Sequence, residues 1–151
     1  MTTATATPAR IVVIEDNPAD VTLLRYALDH QGDPYELEVL MDGEQAMRFV
    51  DEHRRNEREP WPCVIVLDLY LPRYDGLAVL RAIREEPALS NIGVVILSTQ
   101  ATAEEEQQMI ELGVRLYRNK PSSLESLIEL GAEIFEICRD ESTTLVNSSL
   151  S

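Results

Sequence analysis

VIVLDLYLPRYDG, residues 64–76, is the stretch on which the fold turns. Its first four residues are apolar without a break, and Cys63 extends the run. A strand with one wet face would alternate polar and apolar side chains, so an unbroken run predicts a strand covered on both faces, as at the centre of a parallel sheet. Asp68 ends the run, and Pro72 and Gly76 signal a turn after it. A carboxylate there is held rigidly at the carboxyl edge of the sheet, the edge where open α/β sheets bind their ligands.

Working outward, Arg10 to Ile14 predicts the first strand. Asn17-Pro18 follows as a helix start, a capping residue with proline in the first helical position, and Val21, Leu24 and Leu28 keep helical spacing to about His30. Tyr35 to Leu40 predicts the second strand and Gly43 to about Glu57 the second helix. Beyond the central strand, Leu77 to Glu86 predicts a third helix stopped by Pro87, and Gly93 to Leu97 a fourth strand. Thr102 and Glu105 form a capping box for a helix to about Leu112, ended by Gly113. Val114 to Arg118 predicts the last strand, and Ser122 with Glu125 a second capping box for a helix to about Asp140. Parallel strands need crossover connections, so five strands alternating with five helices predict an α/β fold, a doubly wound parallel sheet with helices on both faces. The chain of 151 residues is long enough for one core and short for two. One domain over 10–140 is expected, with flexible ends at 1–9 and 141–151.

The net charge of −14 opposes phosphate backbones and anionic lipid surfaces, so direct nucleic-acid and membrane partners are not expected. The start is not a basic segment followed by an apolar one, and no apolar run is long enough to span a bilayer, which points to the cytoplasm. Cys63 and Cys138 read as two buried or half-buried thiols rather than a disulfide framework.

The residues just past the strands are Glu15 and Asp16, Asp68, Ser98 and Lys120. Crowded carboxylates repel one another unless a cation joins them, and Mg²⁺ suits oxygen ligands while accepting phosphate oxygens in its remaining positions. Asp68 can then act as a nucleophile and become an aspartyl phosphate. Lys120 supplies positive charge to one phosphoryl oxygen and Ser98 a hydroxyl donor to another. Each residue alone has a plainer reading, as a helix cap, a turn serine or a surface lysine. Their joint placement at successive strand ends carries the argument.

Four pieces in order, IVVIEDNPAD at 11–20, VIVLDLYLPRYDG at 64–76, VVILST at 94–99 and LYRNKP at 116–121, give a chain that resembles the receiver domains of two-component response regulators. The resemblance implies a flavodoxin-like sheet of five strands in the order 2-1-3-4-5. It implies Asp68 as phospho-acceptor, Glu15 and Asp16 as the acidic Mg²⁺ pair, and the Tyr70 backbone carbonyl as a further metal ligand. Ser98 matches the switch hydroxyl, Tyr117 the switch aromatic and Lys120 the lysine that contacts phosphate, while Tyr70 and Gln100 flank the site and are expected to set autodephosphorylation. The implied protein is a signalling switch rather than a turnover enzyme, fed by a histidine kinase or a His-containing phosphotransfer protein. The EDNPAD start, the long connection 51–62 and the absence of an output domain are similar to the stand-alone regulators that partner bacterial phytochrome-type kinases. The connection itself receives no role.

The last helix carries one apolar stripe at Leu124, Leu127, Ile128 and Ile134 and a second at Leu130 and Ile137, with Phe135 nearby. A homodimer through that helix and a broad core face both remain open. Among other classes, a haloacid dehalogenase-type phosphatase needs an acid two residues after its nucleophile, where Tyr70 stands. A flavodoxin-like cofactor binder needs hydroxyls and amides where Glu15 and Asp16 bring negative charge. A receiver-like scaffold or phosphate sink without a dedicated target is the remaining alternative.

Overall fold

The computed structural model describes residues 7–55, 61–99 and 101–139. Its elements run β1 (Ala9–Ile14), α1 (Pro18–Gln31), β2 (Tyr35–Leu40), α2 (Gly43–Arg54), β3 (Val64–Asp68), β4 (Tyr70–Leu71), β5 (Tyr74–Asp75), α3 (Gly76–Glu85), β6 (Gly93–Ser98), α4 (Ala103–Glu111), β7 (Leu116–Asn119) and α5 (Leu124–Arg139). The main sheet is five-stranded and parallel in the order β2-β1-β3-β6-β7. Apart from a short hairpin of β4 and β5, this is the expected 2-1-3-4-5 order, a flavodoxin-like topology.

Alternation along the central strands feeds two cores. Ile65 and Leu67 of β3 and Val94 and Ile96 of β6 join Phe49, Leu80 and Ile83 on one face. Val64, Val66, Val95 and Leu97 join Leu24, Leu28, Leu130 and Ile134 on the other. Every residue of β3 and β6 is buried, which is why their sequences show no polar alternation. Each fully buried aliphatic side chain contributes about 1.5–3 kcal/mol, so these two strands anchor whatever stands at their ends.

The local signals mostly hold. Asn17 caps α1, its side chain accepting from the Ala19 N–H, and both halves of the Thr102–Glu105 box form. The box on the last helix moves by one residue: Ser123, not Ser122, accepts from the Ser126 N–H, and the Ser126 hydroxyl takes the place expected of Glu125. A hydroxyl at the third helical position serves the same orphan donor as a carboxylate, so the pattern of residue types could not separate the two registers. The second stripe of α5 lies in the core, with Leu130, Phe135 and Ile137 buried, whereas Leu124 is 58% exposed. That face is broad because α5 packs on both the sheet and α1; at Gly131 an added Cβ would lie 2.3 Å from the Ala27 carbonyl oxygen.

The cysteines depart from expectation. Cys63 and Cys138 are half-buried as predicted, but they are joined in a disulfide with a Cα–Cα separation of 5.0 Å. They lie 75 residues apart, and only the return of α5 to the start of β3 makes them neighbours. Asp140, Gln100, residues 1–6, residues 141–151 and part of the 51–62 connection lie outside the described residues. Among the described residues, no helix is long and apolar enough to cross a membrane.

Candidate functional site

Glu15 follows β1 with the same parity as Ile11 and Val13, and Asp68 closes β3 with the parity of Val64 and Val66. Both side chains therefore rise on the face shared with α1 and α5, over a floor of Val13, Val66 and Leu97. The register pairs Asp68 with Leu97 and Ser98 with Asn119, which brings the ends of β3, β6 and β7 to one rim. Lys120 leaves β7 at that rim, its backbone N–H donating to the Ser98 carbonyl at 2.9 Å.

The Lys120 ammonium joins the constellation. Its Nζ lies 3.1 Å from Glu15 Oε1, 3.2 Å from Asp68 Oδ2 and 2.7 Å from Asp20 Oδ2. Glu15 is 4% exposed and Asp68 6%. Asp16 is half-buried beside them, and one oxygen from each of Glu15, Asp16 and Asp68 falls within 4.8 Å of the others. An all-oxygen set of this spacing fits a hard divalent cation. Burial, with the Asp68 carboxylate second, pushes Glu15 up to about 7. The surrounding carboxylates hold Lys120 above its ordinary range despite burial. The pocket thus has more negative charge than one ammonium can satisfy.

Ser98 Oγ is fully buried and has no hydrogen-bond partner among the described residues. A buried orphan hydroxyl costs about 1–3 kcal/mol, so its presence at the rim asks for an acceptor that arrives from outside. The Tyr70 N–H donates to Asp68 Oδ1 at 3.0 Å and fixes the carboxylate, while the Tyr70 phenol crosses the rim to Glu105 Oε1 at 2.8 Å. That bond and burial push the phenol up to about 12; Ser98 opposes the shift but is not in hydrogen-bonding geometry. Half-buried Tyr117 accepts at its hydroxyl from the Ala101 N–H at 3.2 Å, which ties it to the start of α4.

All the strand-end residues singled out from sequence therefore meet at this rim or flank it. Sequence reasoning missed Asp20 and Glu105. Asp20 looks like an ordinary acid in the first turn of a helix, and Glu105 reads wholly as part of its capping box; only the azimuth of each helix turns them to the site. Gly76 is a structural member of the same motif: its N–H donates to the Leu69 carbonyl, and an added Cβ would lie 2.3 Å from that oxygen.

Comparison with known proteins shows what the chain is similar to. The family model for the response regulator receiver domain matches residues 11–131. The response regulator Rcp1 of Synechocystis sp. is 36% identical over 130 residues, covering 85% of this chain and 88% of Rcp1. The crystal structure of the Mn²⁺-bound form of Rcp1 superposes with a TM-score of 0.75 at 34% identity, over 92% of this chain and 99% of that one. The phosphorylated cyanobacterial phytochrome response regulator RcpA gives 0.78 at 32% identity, over 91% and 99%.

Proposed function

The chain belongs to the response regulator receiver domain family, and on that premise we propose that it accepts a phosphoryl group on Asp68 from a phosphohistidine with the help of Mg²⁺. The receiver unit is taken to run over 10–140. In the transfer, the N–P bond of the donor imidazole breaks as an Asp68 carboxylate oxygen bonds to phosphorus, and the imidazole leaves. Glu15, Asp16, Asp68 and the Tyr70 carbonyl would hold the Mg²⁺ ion, which when bound offsets charge on the carboxylate and on the incoming oxygens.

The observation that carries this reading is the meeting of Glu15, Asp68 and Lys120 within 3.2 Å, with the orphan Ser98 hydroxyl on the adjacent strand. Lys120 gives its charge to one phosphoryl oxygen, and Asp20 keeps the ammonium aimed across the rim. Ser98 donates to another oxygen and so gains the partner it lacks. Tyr117, joined through Ala101 to the start of α4, would follow that movement, and the face of α4, β7 and α5 would change as the population shifts. Tyr70, and Gln100 beyond the described residues, would govern water access and hence autodephosphorylation.

Relatedness to Rcp1 and RcpA, the latter described as a phytochrome response regulator, supports a phytochrome-type histidine kinase as donor and a cytoplasmic setting. A panel of kinases run in parallel should give one donor whose transfer is fastest by orders of magnitude. A homodimer through α5 would rest on Leu124 at its exposed start, since Leu130 and Ile137 serve this chain's own core; sedimentation at several concentrations measures it. The acceptor itself is tested with acetyl phosphate and Mg²⁺. A single labile phosphoryl mass gain is expected, absent in Asp68→Asn and absent with a chelator, and an unchanged gain in Asp68→Asn defeats the reading.

A further inference from the structure

The amino end of the sheet holds a second chemical group that phosphoryl transfer does not use. Cys63 stands just before β3, pinned to the sheet by its N–H to the Arg10 carbonyl at 2.9 Å. Cys138 rides on the last turn of α5. That turn reaches the sheet because residue 93 is glycine: a Cβ there would lie 2.7 Å from Ile137 Cγ2. Each cysteine is thus carried by an element that other residues, Val64 and Val66 of β3 and Ile134 and Ile137 of α5, fix in the core, so reduction leaves the two sulfur atoms within reach of each other. The 5.0 Å Cα separation lies inside the range of about 4.4–6.8 Å that a disulfide accepts.

The pair is also accessible. It forms part of the wall of two clefts, of about 460 Å³ and 350 Å³, that open on either side of it. Arg10 and Arg139 line the first and Arg115 the second; Arg10 is ion-paired with Glu36 and Arg139 with Asp33. Three guanidinium groups thus line the clefts beside the pair, on a chain that carries −14 overall. A guanidinium group beside a sulfur favours its thiolate, the nucleophilic form, and offers a contact to small anionic thiols and disulfides. A bridge buried in the core would lack such access.

We propose that Cys63 and Cys138 are a reversible thiol–disulfide site, in exchange with a small anionic disulfide of the glutathione type, that fastens the last turn of α5 to the start of β3. In the forward direction one cysteine thiolate attacks oxidised glutathione, forming a mixed disulfide and releasing one glutathione thiolate. The second cysteine thiolate then attacks the protein sulfur of that mixed disulfide, closing the bridge and releasing the other glutathione. Two electrons and two protons pass from the cysteine pair to two glutathione molecules. The helix so fastened is the one that begins four residues after Lys120, so the device acts on the far end of an element whose near end adjoins the rim. The inference rests on the receiver reading only in its setting, because a phosphohistidine donor is met where the thiol pool is reducing and disulfides are transient.

The full chain, without denaturant, should be equilibrated in buffers of varied oxidised to reduced glutathione ratio, alkylated, and weighed intact. The expected result is a reversible two-thiol transition, with the oxidised form melting about 5–15 °C higher and its α5 terminal-turn amides exchanging more slowly. Cys138→Ser should instead retain one glutathione on Cys63. Asp68→Asn should titrate like the parent chain, so loss of phosphorylation and loss of redox behaviour are separate results. Thiols that stay alkylatable in excess oxidised glutathione, a bridge reducible only after unfolding, or covalent dimers in place of the internal bridge would each overturn the proposal.

Discussion

Two half-buried cations stand at opposite edges of the sheet and are used in opposite ways. At the carboxyl edge Lys120 contacts three carboxylates, from Glu15, Asp20 and Asp68. At the amino edge Arg84 donates to four backbone carbonyls, from Leu112 and Gly113 after α4 and from Ser90 and Ile92 before β6, at 2.7–3.1 Å. Burial pulls Arg84 below its ordinary range, whereas the carboxylates hold Lys120 above its own. The Arg84 acceptors are neutral and fixed by the fold, so the fork is a clamp with one geometry. The Lys120 acceptors repel one another and can each be satisfied differently by a proton, a metal ion or a phosphoryl oxygen. Stability resides where the partners cannot rearrange, and switching where they can.

This contrast can be broken by experiment. Arg84→Ala should carry the largest cost, about 3–5 kcal/mol, because it strands several buried carbonyls at once. Urea unfolding should give the same loss at pH 5 and pH 7 and with or without Mg²⁺, and Arg84→Lys should recover little of it. A loss that Mg²⁺ repairs would place Arg84 in the same class as Lys120.

Next comes Glu15. Its folded pKa is raised from 4.5 to about 7, so between those values the folded chain holds a proton that the unfolded chain has released. The stabilisation is therefore full below about 4.5 and is lost as pH climbs to about 7, by up to about 3 kcal/mol. In chelator, the parent chain should lose stability across this window and Glu15→Gln should not. Proton and metal compete for the same oxygens, so Mg²⁺ affinity should rise with pH until about 7 and then level. Flat profiles would remove the crowded-carboxylate account.

Lys120→Ala should cost about 2 kcal/mol at pH 7, less at pH 5 where the acids take up protons, and less again with Mg²⁺. Phosphoryl transfer should slow by more than tenfold in the same variant, measured by quench flow. The smallest effect expected is from Tyr70→Phe, about 1 kcal/mol or less for an exposed hydrogen bond to Glu105. Its value lies in the phosphorylated lifetime, which should change although stability hardly does.

The carboxyl edge was the more legible in sequence. Glu15, Asp16, Asp68, Ser98 and Lys120 each follow a strand directly, so finding the strands finds the residues, and period-two alternation sends Glu15 and Asp68 to one face. Asp20 and Glu105 depend on how far a helix is rotated about its axis, which the capping residues do not fix. The amino edge was nearly silent. Arg84 reads as one more charge on an amphipathic helix, since backbone carbonyls leave no mark in a sequence. The Cys63–Cys138 pairing requires the path of α5 over the sheet. The one-residue shift of the cap from Ser122 to Ser123 has a similar cause, because adjacent serines offer the same chemistry in two registers.

The destination of the phosphoryl group decides between a switch at Asp68 and any other use of this rim. An acyl phosphate is reduced by borohydride to the alcohol, so an aspartyl phosphate leaves homoserine in its place. After phosphorylation in Mg²⁺, reduction and peptide mass mapping, homoserine is predicted at position 68, with none in chelator. Modification of Glu15 or Ser98 in its stead, or labelling at 68 that is indifferent to the metal, would contradict the account.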